Sequence, residues 1–594
     1  MKFENSFIGY FKFYYRLTGK RLLINLALSI TVSLLDGISL AMFMPLLQSA
    51  GGTVAKSNET LGSLHYITDF LESLGLTLNI TTVLSILVVL FILKGSFKFL
   101  QLTFQVQTRH LFMKKIRYLL IDSLQDLSYK GFLKLDAGRI HNTLTGEVSK
   151  LFQSMSYYFN AAQNTVMLST YILLAFLANF QFAILVALGA GLSNLVYRKI
   201  YKACKKIAFE LSLKGNSFNS FLVQAIHNYK YLKSTNYLHT FSKKIKAVIN
   251  DTEHLNRKIG VYNAITASVK EPLIIIVVAA VILIQLRFSS GNLTSILLSL
   301  LLFYRSLNFL MVLQNDWQQF IQVSASITTV SSIVNEMDTM KEVKASTPFQ
   351  TFTNHIRIKN LVFAYGSQVV LNNIDVEIPK NKTIALVGES GSGKTTLANI
   401  VSGLIQPTTG EVLIDNYPLK NISLNSYRDQ MGYISQEPVI FNDNIFNNIT
   451  FWAEPTAKNI QKFWNIVELA SLTTFITGLP QKELTPLGDN GMLVSGGQKQ
   501  RISIARELYK DAQILILDEA TSALDSETER VIQDNIDKLH GKFTILIIAH
   551  RLSTIKNADI IYLLDKGKVL AHGDFDSMLS ESQRFKRMVS LQEM

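Results

Sequence analysis

Lys382-Thr383-Ile384-Ala385-Leu386-Val387-Gly388-Glu389-Ser390-Gly391-Ser392-Gly393-Lys394-Thr395 decides how the last third of this 594-residue chain folds. An apolar run stops at a glycine, three glycines fall within six positions, and Lys-Thr opens a stretch with helical periodicity. The spacing G-x-x-x-x-G-K-[ST] between a buried strand and a helix is that of a phosphate-binding loop. Glycines let successive backbone N–H groups turn inward around phosphate oxygens, and the helix N-terminus adds partial positive charge. Gly388, Glu389, Ser390, Gly391, Ser392, Gly393, Lys394, Thr395 and the adjoining Thr396 therefore form the expected nucleotide cradle. Lys394 is placed to reach the β- and γ-phosphates, and the Thr395 hydroxyl to ligate Mg²⁺.

A partner element lies downstream. Ile514-Leu515-Ile516-Leu517-Asp518-Glu519 reads as a buried strand ending in two acids. Asp518 is expected to hold Mg²⁺ and Glu519 to orient and deprotonate an attacking water. The surrounding texture, from about Phe352 onward, alternates strands such as 356–365 and 369–378 with amphipathic helices. About 240 residues are enough for a complete α/β domain.

Between the two elements stands Val494-Ser495-Gly496-Gly497-Gln498, followed by Lys499-Gln500-Arg501. It resembles the signature of ATP-binding cassette (ABC) proteins, with Val494 in place of the usual leucine. The similarity runs through the region in the family's order. Tyr365 stands where the family stacks a ring on adenine, Gln436 in Ile434–Pro438 matches the Q-loop, Ser522–Asp525 matches the D-loop, and His550 in Ala549–Arg551 matches the switch histidine. The resemblance implies ATP and Mg²⁺ as cofactors, Gln436 both in catalysis and at the metal, and Glu519, His550 and Lys394 as catalytic groups. It also implies head-to-tail pairing, in which Ser495, Gly496, Gly497 and Gln498 of one subunit close the ATP site of the other. Intact Glu519, His550 and signature suit a homodimer; a heterodimer with a degenerate partner is the alternative. The sequence departs from the family before the signature, where Asp489 and Asn490 replace an acid-Arg pair that contacts the intracellular loops.

The first 330 residues differ in kind. The chain is 48% hydrophobic and only 17% charged, with a mean hydropathy of +0.23, whereas soluble domains carry about a quarter charged residues. This composition argues against disorder, and the single Cys204 excludes an internal disulfide. Apolar runs at about 22–47, 79–107, 158–179, 182–202, 260–286 and 292–322 predict six membrane crossings. The first is too long, and lacks the cleavage site, for a signal peptide. Basic residues crowd 109–150 and 198–258, while Lys56 is the only one in 51–78. The positive-inside bias then places the N-terminus, both long loops and the C-terminal part in the cytoplasm. The net charge of +14 follows largely from this bias, and no aromatic-interleaved basic patch points to nucleic acid. The aromatic and basic opening, 1–21, suits a helix lying on membrane lipids.

The expected fold is thus an α-helical membrane bundle of six transmembrane helices followed by an α/β P-loop ATPase domain. The boundaries are an interfacial helix 1–21, a transmembrane domain 22–333 with long cytoplasmic helical hairpins, a linker 334–352 and a nucleotide-binding domain 353–594. The whole resembles a type IV exporter half-transporter, a multi-pass protein of the bacterial inner membrane that uses ATP hydrolysis to export or flip its cargo by alternating access. Charges inside crossings are costly and mark candidate substrate contacts: Asp36, Lys94, Lys98 and Arg305, with Lys270 and Glu271. Arg305 suits phosphate, with pairing to Asp36 or to an acid of a partner as the structural alternative. The segments around Arg305 and Asp36 are similar to bacterial lipid-linked oligosaccharide flippases, which implies an amphipathic, anionic lipid-linked substrate. A peptide exporter, or an ATP-gated channel or regulatory subunit without cargo, remains the alternative.

Overall fold

The computed structural model describes residues 6–43, 79–178, 180–288, 293–518, 537–549 and 551–593, with Leu46, Ser73, Arg530, Gln533 and Asp534 as isolated positions. They form two units, Met1–Leu127 with Gly131–Lys341, and Ser128–Lys130 with Glu342–Met594.

In the first unit, Ser6 caps helix α1 (Phe7–Thr18) by accepting the Gly9 N–H at 3.0 Å. Gly19, at φ 62°, turns the chain into α2 (Lys20–Ala41). Four further segments follow the predicted runs: α3 (Ile80–Gln125), α4 (Val148–Ala178), α5 (Phe180–His227) and α6 (Leu238–Phe288), the last containing Pro272. Helix α7 (Leu293–Thr339) completes six long helices among the described residues. At 1.5 Å per residue, α3, α5, α6 and α7 are each about 70 Å long, more than twice a bilayer core of about 30 Å. They account for the crossings and the long basic segments together. The short helices Tyr129–Phe132 and Ala137–Asn142 separate α3 from α4, and Tyr229–Ser234 separates α5 from α6.

The apolar side of these helices faces outward. Leu84, Val88, Ile92 and Phe99 of α3 are exposed, while Gln101 and Gln105 on the same helix are buried. Lipid replaces water around such a surface, so the polar groups turn inward and bond one another. At the other end an aromatic core forms from Tyr10, Phe13, Tyr14, Phe112, Tyr158 and Phe320. Tyr10 meets Phe320 edge-on at 4.7 Å between ring centres.

The second unit contains two sheets. An antiparallel one has the order β2-β1-β4-β5, from Gln368–Pro379, His355–Tyr365, Thr409–Ile414 and Tyr417–Pro418. The other has the order β10-β9-β3-β8-β7-β6, from Lys568–Gly573, Ile560–Asp565, Thr383–Val387, Thr544–Ile548, Ile514–Asp518 and Met431–Ile434. β9, β3, β8, β7 and β6 run parallel, and β10 is antiparallel to β9. Parallel strands covered on both faces must be apolar throughout; β3 and β8 are buried at all five positions each. Parallel alignment also brings the C-terminal ends of β3, β7 and β8 to one edge, where open α/β sheets bind ligands.

Candidate functional site

The phosphate-type loop leaves that edge from β3. Gly388 has φ 146°, and a Cβ there would lie 2.1 Å from the Leu564 carbonyl oxygen, so no side chain fits. Gly393, at φ 102°, directly precedes helix α8 (Lys394–Val401), and a Cβ on it would meet Leu371 at 2.5 Å. Lys394 is 5% exposed. Its ammonium donates to the carbonyls of Gly388 at 2.8 Å and Glu389 at 3.0 Å, which holds the charge inside the loop. The Ser392 hydroxyl is buried without a hydrogen-bond partner, as expected of a group that completes its bonding with a phosphate oxygen. Thr395 and Thr396 follow in the first turn of α8.

Asp518 ends β7 and receives a hydrogen bond from the Tyr433 hydroxyl at 3.0 Å. Gln436 lies two residues beyond β6 and is exposed. Tyr365 ends β1, 42% exposed, with its ring edge-on to Phe363 at 4.8 Å. Glu519, Ser522–Asp525 and His550 lie outside the described residues.

The signature opens helix α9 (Gly496–Tyr509) with a reciprocal cap: the Ser495 N–H donates to Gln498 Oε1 at 2.9 Å, and the Gln498 N–H donates to Ser495 Oγ at 3.3 Å. Ser495 and Gly496 are exposed, and a Cβ on Gly496 would have nothing within 4 Å. Val494, the replaced leucine, still packs against the cluster containing Ile440, Phe446 and Ile502. Asp489 accepts from Asn442 at 2.7 Å and the Asn490 carbonyl from Lys499 at 2.7 Å. At the departure from the family, the two residues are therefore held by side chains of their own unit.

Three contributors near the site escape a motif reading. Tyr433 positions Asp518. Arg506, 8% exposed, donates to the carbonyls of Asn448 at 2.6 Å and Val439 at 2.8 Å. It thereby ties α9 to the segment after the Q-loop glutamine. Arg584 joins Glu389 at 3.1 Å and Asp565 at 2.7 Å. For Arg506 the available signal was a charge directly after the largely apolar stretch 502–505, and for Tyr433 and Arg584 there was none.

In the membrane unit, α2 carries Asn25, Ser29, Ser33, Asp36 and Ser39, all buried. Steps of three and four residues put them on one helix face. Gln101 donates to Ser29 at 2.9 Å and to Gln163 at 3.0 Å, and Asn164 donates to Asp316 at 2.8 Å. Asp36 is 4% exposed. It pairs with Lys94 and accepts from the Tyr171 hydroxyl at 2.7 Å. Arg305 interacts with the same tyrosine and carries a hydrogen bond to its hydroxyl. Three of the predicted substrate residues therefore converge. Lys98 is exposed, outside the cluster. The side chains of Lys270 and Glu271 lie outside the described set.

Comparison with known proteins agrees with this geometry. Residues 371–522 match the family described as ABC transporter, and 26–370, more than half the chain, match the ABC transporter transmembrane region. The chain belongs to the ABC transporter family. Among its relatives, an ATP-dependent lipid A-core flippase of Shewanella denitrificans is 30% identical over 475 residues, covering 77% of each chain. The heterocyst differentiation ATP-binding protein HepA of a Nostoc species is 30% identical over 478 residues, covering 78% of this chain and 76% of that protein. A solved structure of a bacterial Atm1-family ABC exporter with ATP bound superposes with a TM-score of 0.80, covering 97% of this chain and 99% of the other at 21% identity. This ABC transporter is thus an exporter-type half-transporter, a multi-pass membrane protein with a fused ATPase domain. It binds ATP and couples its hydrolysis to movement of a substance across the membrane. Half-transporters of this kind generally work as dimers.

Proposed function

We propose that two copies of this chain pair as a homodimer and flip an amphipathic, anionic, lipid-linked substrate from the inner to the outer leaflet of a bacterial inner membrane. The observation that carries the reading is the exposed signature: Ser495 and Gly496 stand at the N-terminus of α9 with open space beyond them. A helix N-terminus is a natural seat for phosphate, and a second copy supplies the nucleotide. The names of relatives as lipid A-core flippases support the substrate class. So does the cost of keeping Asp36, Lys94 and Arg305 inside a membrane bundle, which marks them as functional by default.

Thr395, Gln436 and Asp518 would hold Mg²⁺, which supplies charge neutralisation between the phosphates. Lys394 draws charge from the β- and γ-phosphates. Glu519 takes the proton from the attacking water as its oxygen bonds to the γ-phosphorus and the bridge to the β-phosphate breaks. His550 and Ser495 contact the γ-phosphate, so its loss separates the two copies. A nucleotide shifts the inward–outward equilibrium only through its different affinity for the two states; here closed dimers hold ATP from both sides.

The test uses purified protein in proteoliposomes with lipid-linked sugars, phospholipids and peptides as cargo. The expected result is ATP-dependent movement of lipid-linked anions by the wild type and none by Glu519→Gln, which keeps nucleotide binding. Movement of peptides alone would replace the substrate class, and ATP turnover without cargo would favour a channel or regulator.

A further inference from the structure

The charged cluster at Asp36 is partly compensated: one carboxylate faces Lys94 and, through Tyr171, Arg305, which leaves one positive charge over. A second concentration of positive charge is built differently. Lys202, Lys205, Lys206 and Phe209 of α5 line a cavity of about 440 Å³ with Ser324 and Thr328 of α7. Small-molecule sites typically occupy about 300–1,000 Å³. Steps of three, four and seven residues place the three lysines and Phe209 on one face of α5. Like charges at such spacing repel one another along a helix, so the arrangement costs stability on its own. The described lining includes the Thr328 hydroxyl, a Ser324 hydroxyl that donates to the Ile321 carbonyl at 2.9 Å, and no carboxylate.

The walls are pinned. On one side of the cavity the Tyr201 hydroxyl donates to the Gln314 carbonyl at 3.2 Å, and on the other Ser212 and Thr329 share a hydrogen bond of 3.1 Å. Both join α5 to α7, so the gap is held open between fixed points. Cys204, Ile207 and Ala208 are buried on the opposite face of α5. Burial holds the Lys205 ammonium below the ordinary lysine range, because desolvation disfavours its charged form. Lys202 closes the predicted fourth crossing, at its basic, cytoplasmic end.

We propose that the α5–α7 cavity of Lys202, Lys205 and Lys206, with the Thr328 hydroxyl, is a binding site for a phosphate or diphosphate group at the cytoplasmic face. It rests on the anionic-substrate reading above and places a phosphate contact apart from Arg305. The ammonium groups take the charge, the Thr328 hydroxyl donates to a remaining oxygen, and Phe209 gives an apolar wall for the adjoining part of the ligand. The phosphate comes either from a lipid headgroup or from a soluble anion.

The test measures retention of phosphatidic acid by full-length protein in phosphatidylcholine nanodiscs, counted by native mass spectrometry, with inorganic pyrophosphate as competitor. Lys202→Gln/Lys206→Gln changes two exposed lysines, so folding is preserved; Lys230→Gln/Lys246→Gln, also exposed, is the control of equal charge. The expected result is at least a tenfold loss of retention in the first pair, no loss in the control, and recovery with Lys202→Arg/Lys206→Arg. Displacement by pyrophosphate assigns the site to the free anion; its failure, with lipid still retained, assigns it to a headgroup. Equal retention by Lys202→Gln/Lys206→Gln and wild type overturns the site while leaving the anionic-substrate reading in place. Absence of retention by wild type overturns both.

Discussion

The hydroxyl of Tyr433, on β6, donates to Oδ2 of Asp518, at the end of the neighbouring β7, across 3.0 Å. Burial, and then the Asp518 charge, push the Tyr433 hydroxyl well above the ordinary tyrosine range, so it stays a donor at any physiological pH. The bond fixes the carboxylate proposed to hold Mg²⁺. Hydrogen bonds to charged groups contribute about 1.5–3 kcal/mol. Tyr433→Phe should lower ATP turnover by about tenfold or more, with partial recovery at raised Mg²⁺. Turnover equal to wild type across a Mg²⁺ titration would remove Tyr433 from this role.

Asp36 and Lys94 test the buried charges. Breaking a buried pair by removing one partner costs about 3–5 kcal/mol, because the other charge is left uncompensated. Asp36→Asn should destabilise by that order and leave Lys94 and Arg305 facing one neutral group. Asp36→Asn/Lys94→Met should lose less than the sum of the two single changes. Denaturant midpoints of all four proteins, read as a double-mutant cycle, give the coupling directly; additive losses would mean the pair is energetically idle.

Gly388→Ala addresses the loop. The new methyl must displace the Leu564 carbonyl, 2.1 Å from its position, so β9 and the loop cannot both keep their places. Nucleotide binding should fall below detection by fluorescent-nucleotide titration while the membrane helices stay folded by circular dichroism. Retained affinity would show that the loop can widen.

Asp443 supplies a pH dependence. Its carboxylate accepts from Asn447 at 3.0 Å, the Trp452 indole at 2.7 Å and the Asn444 N–H at 2.7 Å. These bonds, the Asn447 contact first, lower its pKa from 3.8. A depressed carboxylate contributes stability that is present above the unfolded value and lost as pH falls through the folded one. Between about pH 4 and the lower folded value, the wild type should therefore lose more stability than Asp443→Asn. Trp452 fluorescence should report the same transition, and identical acid titrations of the two proteins would exclude this contribution.

The motifs were legible because phosphate chemistry constrains a few contiguous residues: Gly388, Gly393, Lys394 and Ser495–Gln498 are read within short windows, as are Asp518 and its strand. The six long helices were legible because a bilayer requires long apolar runs. Tyr433 and Arg506 were not, since their partners lie 85 and 58 residues away. The face formed by Asn25, Ser29, Ser33 and Asp36 was hidden by hydropathy averaging, which counts a serine inside an apolar run as a small perturbation.

By itself the sequence determined the two-part architecture, because long apolar runs and a strand-loop-helix motif are local patterns; the side of the membrane and the ATP-binding residues proposed above rest on the same kind of signal, charge summed over loops and residues read within short windows. Only the tertiary structure decided which charges meet. Asp36, Lys94, Tyr171 and Arg305 come from four different helices, as do the facing walls of the lysine cavity from two. Spacing along one helix sets which residues share its face, but the partner across the gap depends on helix packing and rotation, which no single stretch of sequence encodes.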